Sequence, residues 1–295
     1  MTALSIISKN RSAIVTTAIA AIAALTIGVF LKSSSVTVFV QEKEEEIPIV
    51  SVMYHSFSHD IRKCSKYVVT PDLFEGDIKY LLSNGYTFVD TRDILDFCKN
   101  GTPLPPKPAM ITIDDGHYSI YEYIFPIMKK YNVKVVISPI AIECDRYTES
   151  MDLNHAYSNM CWDNIKEMYE SNLADIQNHS YDMHKVNSSV RGCAKLKGES
   201  ADKYRIRLYS DLKKADDSIF KAIGTRPECM VYPFGLTSKE ARDVIDNLGY
   251  SMSISCTEGV SKITRDTDSV HMMKRYNRAY GKSSEDFFEN IFKDI

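Results

Sequence analysis

The chain has 295 residues, 44% hydrophobic and 25% charged, which excludes a disordered or collagen-like polymer. Its net charge of −3, from 36 Lys and Arg against 39 Asp and Glu, supplies no basic field, so no nucleic-acid partner is expected. Seven widely spaced cysteines include no C-x-x-C pair, which argues against a zinc ribbon or a thioredoxin-type site; mostly free, buried thiols are expected.

Residues 13–31 (AIVTTAIAAIAALTIGVFL) carry no charge. At about 1.5 Å per residue that run nearly spans a hydrocarbon core of about 30 Å. Lys9 and Arg11 precede it, which favours an inside N-terminus and export of the chain beyond Lys32. The reading is a short cytoplasmic N-terminus at 1–12, a transmembrane signal anchor at 13–31 and an extracytoplasmic linker at 32–47, with a folded domain at 48–295. The linker holds Ser33-Ser34-Ser35 and the acidic run Glu42 to Glu46. A cleaved signal peptide and a buried core helix are the alternatives. Gly28 to Lys32 is a poor small-residue cleavage site, so a single-pass cell-membrane protein is expected over a secreted one.

The domain is close to the roughly 250 residues of a (β/α) barrel. Ile49 to Tyr54 reads as a short buried strand ending at His55. Thr70-Pro71 starts a helix, with Thr as N-cap and Pro in the first turn; Phe74, Ile78, Leu81 and Leu82 come next at helical spacing and Asn84-Gly85 stops it. Thr87 to Val89 is a strand, Thr91 to Cys98 a helix and Pro103 to Pro108 a loop. Ala109 to Ile113 is an apolar strand running into Asp114-Asp115-Gly116. Ser119 to Tyr131 reads as a helix, Val133 to Ser138 as a strand, and Met160 to Asp163 opens another helix. Asp175 to Asn178 is a strand, Tyr204 to Ile223 a helix, Cys229 to Tyr232 a strand, Thr237 to Leu248 a helix and Tyr250 to Ser255 a strand. Such alternation marks a mostly parallel sheet or barrel. His55, Asp114-Asp115, His179 and Tyr232 to Gly235 each sit just after a strand, where parallel α/β folds gather their chemistry.

Asp114 and Asp115 would point to opposite faces of a regular strand, but a turn at Gly116 lets both face one site. The plainer alternative is a helix N-cap. His179 and His184 are five apart. On a helix that spacing rotates them by about 140°, and on a strand it opposes them. Only an irregular loop brings both imidazoles to one point, and two solvated loop histidines are the alternative. With a carboxylate from another strand end they offer two nitrogens and one oxygen, the donor set of a catalytic zinc-type site.

Thr112-Ile113-Asp114-Asp115-Gly116, the His179-Ser180 to His184 segment and Tyr232-Pro233-Phe234-Gly235 resemble the polysaccharide deacetylases with a NodB-homology domain. The resemblance runs from about Ile49 to the end of the chain. The first motif usually carries Phe where Ile113 stands. The five-residue histidine spacing, with Tyr54-His55 near the domain start, is similar to the circularly permuted branch of poly-N-acetylglucosamine deacetylases. The resemblance implies an α/β fold, a distorted (β/α) barrel of NodB-homology type preceded here by one N-terminal transmembrane helix. It implies a divalent metal, zinc first and cobalt or nickel as alternatives, on Asp115, His179 and His184. Asp114 is then the general base and His55 the general acid, which has to arrive protonated. Tyr232, Pro233, Phe234 and Gly235 wall the acetyl pocket and offer a backbone N–H to the oxyanion, although Pro233 has none. The arginine that often leads this motif is replaced by Val231. Arg275 or Arg278 can orient Asp114 instead, and Arg275 is grouped with the substrate-binding residues; a surface basic patch is the alternative for this pair.

The function expected is a metal-dependent hydrolase, a monomer, that removes N-acetyl groups from N-acetylglucosamine units of a cell-wall or exported polysaccharide and releases acetate. An O-acetyl esterase on the same scaffold and a non-catalytic glycan-binding wall protein are the alternatives. Trp162 is read as core before sugar platform. His117 either touches substrate or begins the next helix.

Overall fold

The computed structural model describes residues 45–187 and 189–295. The apolar runs become short strands that alternate with helices. In chain order these are β1 (Ile47–Tyr54), β2 (Ser56–Phe57), β3 (Val68–Val69), α1 (Pro71–Ser83), β4 (Thr87–Phe88), α2 (Thr91–Asn100) and β5 (Pro108–Asp115). Then come α3 (Phe125–Tyr131), β6 (Val135–Pro139), α4 (Ala141–Ser150), α5 (Trp162–Glu170), β7 (Ala174–Ile176), α6 (Ala201–Ile223) and β8 (Cys229–Val231). The chain continues through α7 (Ala241–Leu248), β9 (Met252–Ile254), β10 (Ser261–Ile263), β11 (Tyr276–Asn277) and α8 (Ser284–Phe292).

Parallel ladders join β1 to β5, β5 to β6 and β6 to β7. A bridge between Asn178 and Met230 carries the pairing to β8, which pairs with β9; Ile254 bridges to Met273, and β11 returns to β1. The strands therefore close on themselves, with single bridges where the strands are too short for ladders. This is the α/β fold with a parallel sheet expected from the alternating pattern. β10 runs antiparallel along the start of β1, which that pattern did not signal.

Side chains alternate across this sheet. Val50, Val52 and Tyr54 of β1, Ile111 and Ile113 of β5, and Val135 and Ile137 of β6 pack outward with Phe74, Ile78 and Phe288 of the helices. Ile49, Met110, Val136, Val231 and Ile254 pack in a separate cluster on the other face. Thr112, Asp114 and Ser138 share the parity of Met110 and Val136, so polar groups continue that inner face toward the strand ends. Arg278, one residue past Asn277, lies on the outer parity and is fully buried. Its guanidinium donates to Asp77 of α1 at 2.7 and 3.1 Å, and Tyr54 Oη donates to the same carboxylate at 2.8 Å. Arg278 therefore neither orients Asp114 nor forms a surface patch, the two alternatives open for it in the sequence. Asp77→Ala would leave a buried guanidinium without its carboxylate, so we expect a loss of about 3–5 kcal/mol of unfolding free energy in urea titrations. A loss under about 1 kcal/mol would mean that the pair is replaceable by solvent.

Local signals explain most helix ends. Thr70 Oγ1 accepts from the Leu73 N–H and Pro71 stands in the first turn, as expected. The helix expected over Ser119 to Tyr131 is instead a π-helical turn at Ile120–Ile124 that leads into α3. Pro126 has no N–H to give to Glu122, and the wider turn absorbs the missing bond. All seven cysteines are free, and Cys98, Cys144, Cys161, Cys193 and Cys229 are buried. Trp162 is half-buried against the core and its indole N–H donates to Asp145 at 2.7 Å. Among the described residues no helix is long and apolar enough to cross a membrane. The transmembrane segment expected at 13–31, with residues 1–12 and 32–44, lies outside the described residues.

Candidate active site

β5 delivers Asp114 and Asp115 to the carboxyl end of the sheet, and the backbone there turns sharply. Asp115 has φ 68° and Gly116 φ 76°, so two successive residues are left-handed. A Cβ on Gly116 would sit 2.8 Å from Cβ of Pro139, which leaves no room for any other residue. Asn159 Nδ2 donates to the Asp115 carbonyl at 2.6 Å and holds the turn. Neighbouring carboxylates thus reach one cavity of about 800 Å³, which His55, His117, His179, His184 and Phe234 also line.

The two histidines converge because the segment between them is not regular. Asn178, fully buried, donates through Nδ2 to Tyr250 and Asp216 and bridges to β8, which pins the residue before His179. Ser180 then takes φ 72°, and the Asp211 carboxylate accepts the Tyr181 and Asp182 N–H groups at 2.8 and 3.0 Å. Met183 packs inward and His184 swings back, placing the two rings 5.2 Å apart. Phe234 lies 4.3 Å from the His184 ring.

His179 Nδ1 bonds to the Val231 carbonyl at 2.7 Å. A carbonyl only accepts, so the proton sits on Nδ1 and the Nε2 lone pair faces Asp115. Asp115 Oδ1 lies 3.5 Å from His179 Nε2 and 3.2 Å from His184 Nε2. That oxygen is buried and without a hydrogen-bond partner. One ligand atom from each residue lies within 4.8 Å of the others. Two imidazole nitrogens, one orphaned carboxylate oxygen and an outer carbonyl that sets a tautomer fit a borderline divalent cation.

Asp114 is held differently. Arg275, fully buried, donates to Oδ1 at 2.8 Å and to Oδ2 at 2.6 Å, and Ser138 Oγ donates to Oδ1 at 2.8 Å. The guanidinium also donates to Thr112 Oγ1 and to the Ser255 carbonyl. Burial would raise the Asp114 carboxyl, but the Arg275 charge outweighs it and holds the group well below the usual carboxylate range. Burial likewise works against the Asp115 carboxylate, and His179 and His184 outweigh it. Burial opposes charge on His179, yet Asp114 and Asp115 raise its pKa. Burial lowers the pKa of His184 and of His55. His55 Nδ1 is buried without a hydrogen-bond partner, and the Asp114 and Asp115 charges that favour the protonated ring expected of a general acid are outweighed by burial.

The expected substrate-binding set narrows. Arg275 is enclosed and spends its donors inside the protein, so it positions Asp114 and does not face the cavity. Tyr232 and Pro233 are buried, and Gly235 packs its backbone so closely on Cys256 that a Cβ would meet Cys256 N at 2.8 Å. Phe234 is the residue of that loop whose ring lines the cavity. Sequence reasoning missed Lys66, Tyr67, Cys256, Glu258 and Asn277, which also line the cavity. Tyr67 packs edge-on against His55 at 4.8 Å. Only Asn277 carried a signal, its place between Arg275 and Arg278.

A model of the family described as Polysaccharide deacetylase matches residues 101–253. The poly-beta-1,6-N-acetyl-D-glucosamine N-deacetylase of Escherichia coli (strain K12) is 22% identical over 234 residues, covering 73% of this chain. The chain spans 35% of that relative's length. The enzyme of the same name from Staphylococcus aureus (strain MRSA252) is 25% identical over 242 residues, 82% of this chain and 76% of the relative. Among solved structures, a de-N-acetylase from Aggregatibacter actinomycetemcomitans superposes with TM-score 0.67 at 24% identity, over 82% of this chain and all of that one. At that identity the likeness establishes the fold.

Proposed function

The chain belongs to the polysaccharide deacetylase family, and from that premise we propose that it removes N-acetyl groups from N-acetylglucosamine units of a cell-wall or exported polysaccharide. The observation that carries the reading is the orphaned Asp115 oxygen facing two imidazole nitrogens, beside a carboxylate that Arg275 keeps ionised. Asp115, His179 and His184 would hold the cation, zinc first and cobalt or nickel as alternatives. When bound, it supplies Lewis acidity toward water and the amide carbonyl.

The chain's own groups do the rest. Asp114 Oδ2 accepts a single hydrogen bond, from Arg275, and keeps room for the proton of an attacking water. Its depressed pKa makes it ionised at neutral pH, a weak base whose value lies in position. His55 stands in the same cavity on another strand end and delivers the proton to the departing nitrogen. Because burial lowers its pKa, the ring gives up a proton readily once it holds one. In the loop after β8, Tyr232 N–H bonds to Ile254 and Gly235 N–H to Tyr232, and Pro233 has no N–H. The Phe234 N–H is the donor this loop can offer an oxyanion. The uncharged run at 13–31 behind Lys9 and Arg11 supports a single-pass anchor with the catalytic domain outside the cytoplasm.

Full-length protein is expected to release acetate from β-1,6-linked N-acetylglucosamine oligomers, to lose that activity in chelator and to regain it with zinc, cobalt or nickel. O-acetylated oligomers in the same assay separate an esterase. Acetate release that chelator leaves untouched sinks the metal-dependent reading, and oligomer binding without acetate would favour a glycan-binding protein.

A further inference from the structure

The segment between His179 and His184 is held by side chains. All four backbone N–H groups from Ser180 to Met183 donate to side-chain oxygens: Ser180 to Asn178 Oδ1 at 2.7 Å, Tyr181 to Asp211 Oδ1 at 2.8 Å, Asp182 to Asp211 Oδ2 at 3.0 Å and Met183 to Ser180 Oγ at 3.2 Å. A backbone without a ladder of its own keeps its path only while such acceptors stay in place.

The acceptors are not equivalent. Asn178 and Ser180 adjoin or belong to the loop, whereas Asp211 stands on α6, which buries Leu208, Leu212 and Ala215 in the protein. Asp211 therefore ties the loop to a separate, anchored element. The loop's carbonyls look to another helix: the first N–H groups of α4, from Ala141 and Ile142, donate to Ser180 and Tyr181 at 3.2 and 3.1 Å. Those bonds stop at Tyr181. The Asp211 bond to the Asp182 N–H carries the fixed backbone to within two residues of His184. Successive N–H groups that converge on one anion form a nest, and here the chain fills the nest with its own carboxylate. A carboxylate suits the task because each oxygen takes one donor; an amide would turn an NH2 toward one of them.

We propose that Asp211 is a positioning residue for the cation site: it fixes the loop that returns His184 to Asp115 and His179, and so sets how tightly these three hold a divalent ion. This role rests on the cation reading given under Proposed function and adds a residue outside the ligand set that governs its strength.

The test measures zinc affinity of the full chain by calorimetry against a competing chelator, together with backbone amide exchange of the metal-free protein. Asp211→Asn should weaken zinc binding by about 10–100-fold, the range for removing a partner that orients a ligand. Exchange should quicken at the Tyr181 and Asp182 amides. Asp211→Ser, with one acceptor on a shorter stem, gives the same reading if the asparagine variant does not fold. Asp145→Asn is the control, because Asp145 holds the same segment through the Tyr181 hydroxyl at 2.9 Å and not through the backbone. It should leave zinc affinity near wild type. Unchanged zinc affinity in Asp211→Asn overturns the role. Weakened affinity with unchanged amide exchange also overturns it, since the charge of Asp211 would then act on the ion from a distance. An equal loss in Asp145→Asn does so too, because any loosening of the segment would suffice. Wild type that binds no zinc sinks the cation reading itself, whereas wild type that binds it no more tightly than Asp211→Asn sinks this role alone.

Discussion

Asp115→Asn is expected to lower kcat/KM for acetate release by roughly 10³-fold or more, because loss of a cation worth several kcal/mol to a transition state costs tenfold per about 1.4 kcal/mol. Zinc affinity, measured by calorimetry, should fall with it. The substitution suits the question because it changes little else. Asparagine tolerates the left-handed φ of 68° at this position. The backbone carbonyl keeps its bonds from Asn159 and Ile140. What disappears is one anionic oxygen, the atom that is buried without a donor. The variant should therefore melt within about 1 kcal/mol of wild type, surface-like in cost despite its place in the centre. His179→Ala would be a poorer test, since it also empties a buried volume and frees the Val231 carbonyl. Unchanged zinc affinity together with unchanged turnover in Asp115→Asn would remove this residue from the ligand set.

What the sequence disclosed and what it concealed divide along the range of the interactions. Thr70-Pro71 announced α1 because an N-cap is made within four residues. The apolar run ending in Asp114-Asp115-Gly116 announced a strand and its turn for the same reason. α4 went unread because Ile140 stands at its N-cap and offers no side-chain acceptor. The π-helical turn before α3 also went unread: the pattern from Ser119 to Tyr131 reads as one helix although Pro126 lies inside it. The choice between Arg275 and Arg278 is a matter of parity. β11 pairs with Met53 at Asn277, and that register sends Arg278 outward to Asp77 while Arg275 lies inside beside Asp114. No local pattern carries a register with a strand more than two hundred positions earlier. The histidine pair shows the boundary from the other side. The spacing excluded both regular elements, but the means of convergence, Asn178 pinned by Tyr250 and Asp216 and a loop tied to Asp211, is entirely tertiary.

Arg275→Met is the second large effect, and its outcome depends on pH in a direction that can be worked out. In wild type the Asp114 carboxyl is held below its unfolded value of about 3.9. Its contribution to stability is therefore present above about pH 3.9 and lost as the pH falls further, through the folded value. Without the guanidinium, burial is opposed only by His179, His55 and the Ser138 hydrogen bond, and the same carboxyl is expected to rise above the unfolded value. The sign then reverses: the folded variant favours the protonated group, and stability is lost as the pH rises from about 4 toward neutrality. At pH 7 the variant should be about 3–5 kcal/mol less stable than wild type, with the gap narrowing in acid. Urea titrations in chelator read this without interference from a bound cation. Turnover should fall by about 10²–10⁴-fold, the range for losing a positioned base, while zinc affinity stays near wild type because Asp115, His179 and His184 are untouched. Arg275→Lys keeps the charge but not the two-pronged grip, so it should recover more stability than activity. The double variant Asp114→Asn, Arg275→Met removes both charges and should be more stable at pH 7 than Arg275→Met alone. A gap that does not change with pH would show that Arg275 serves packing rather than the charge of Asp114.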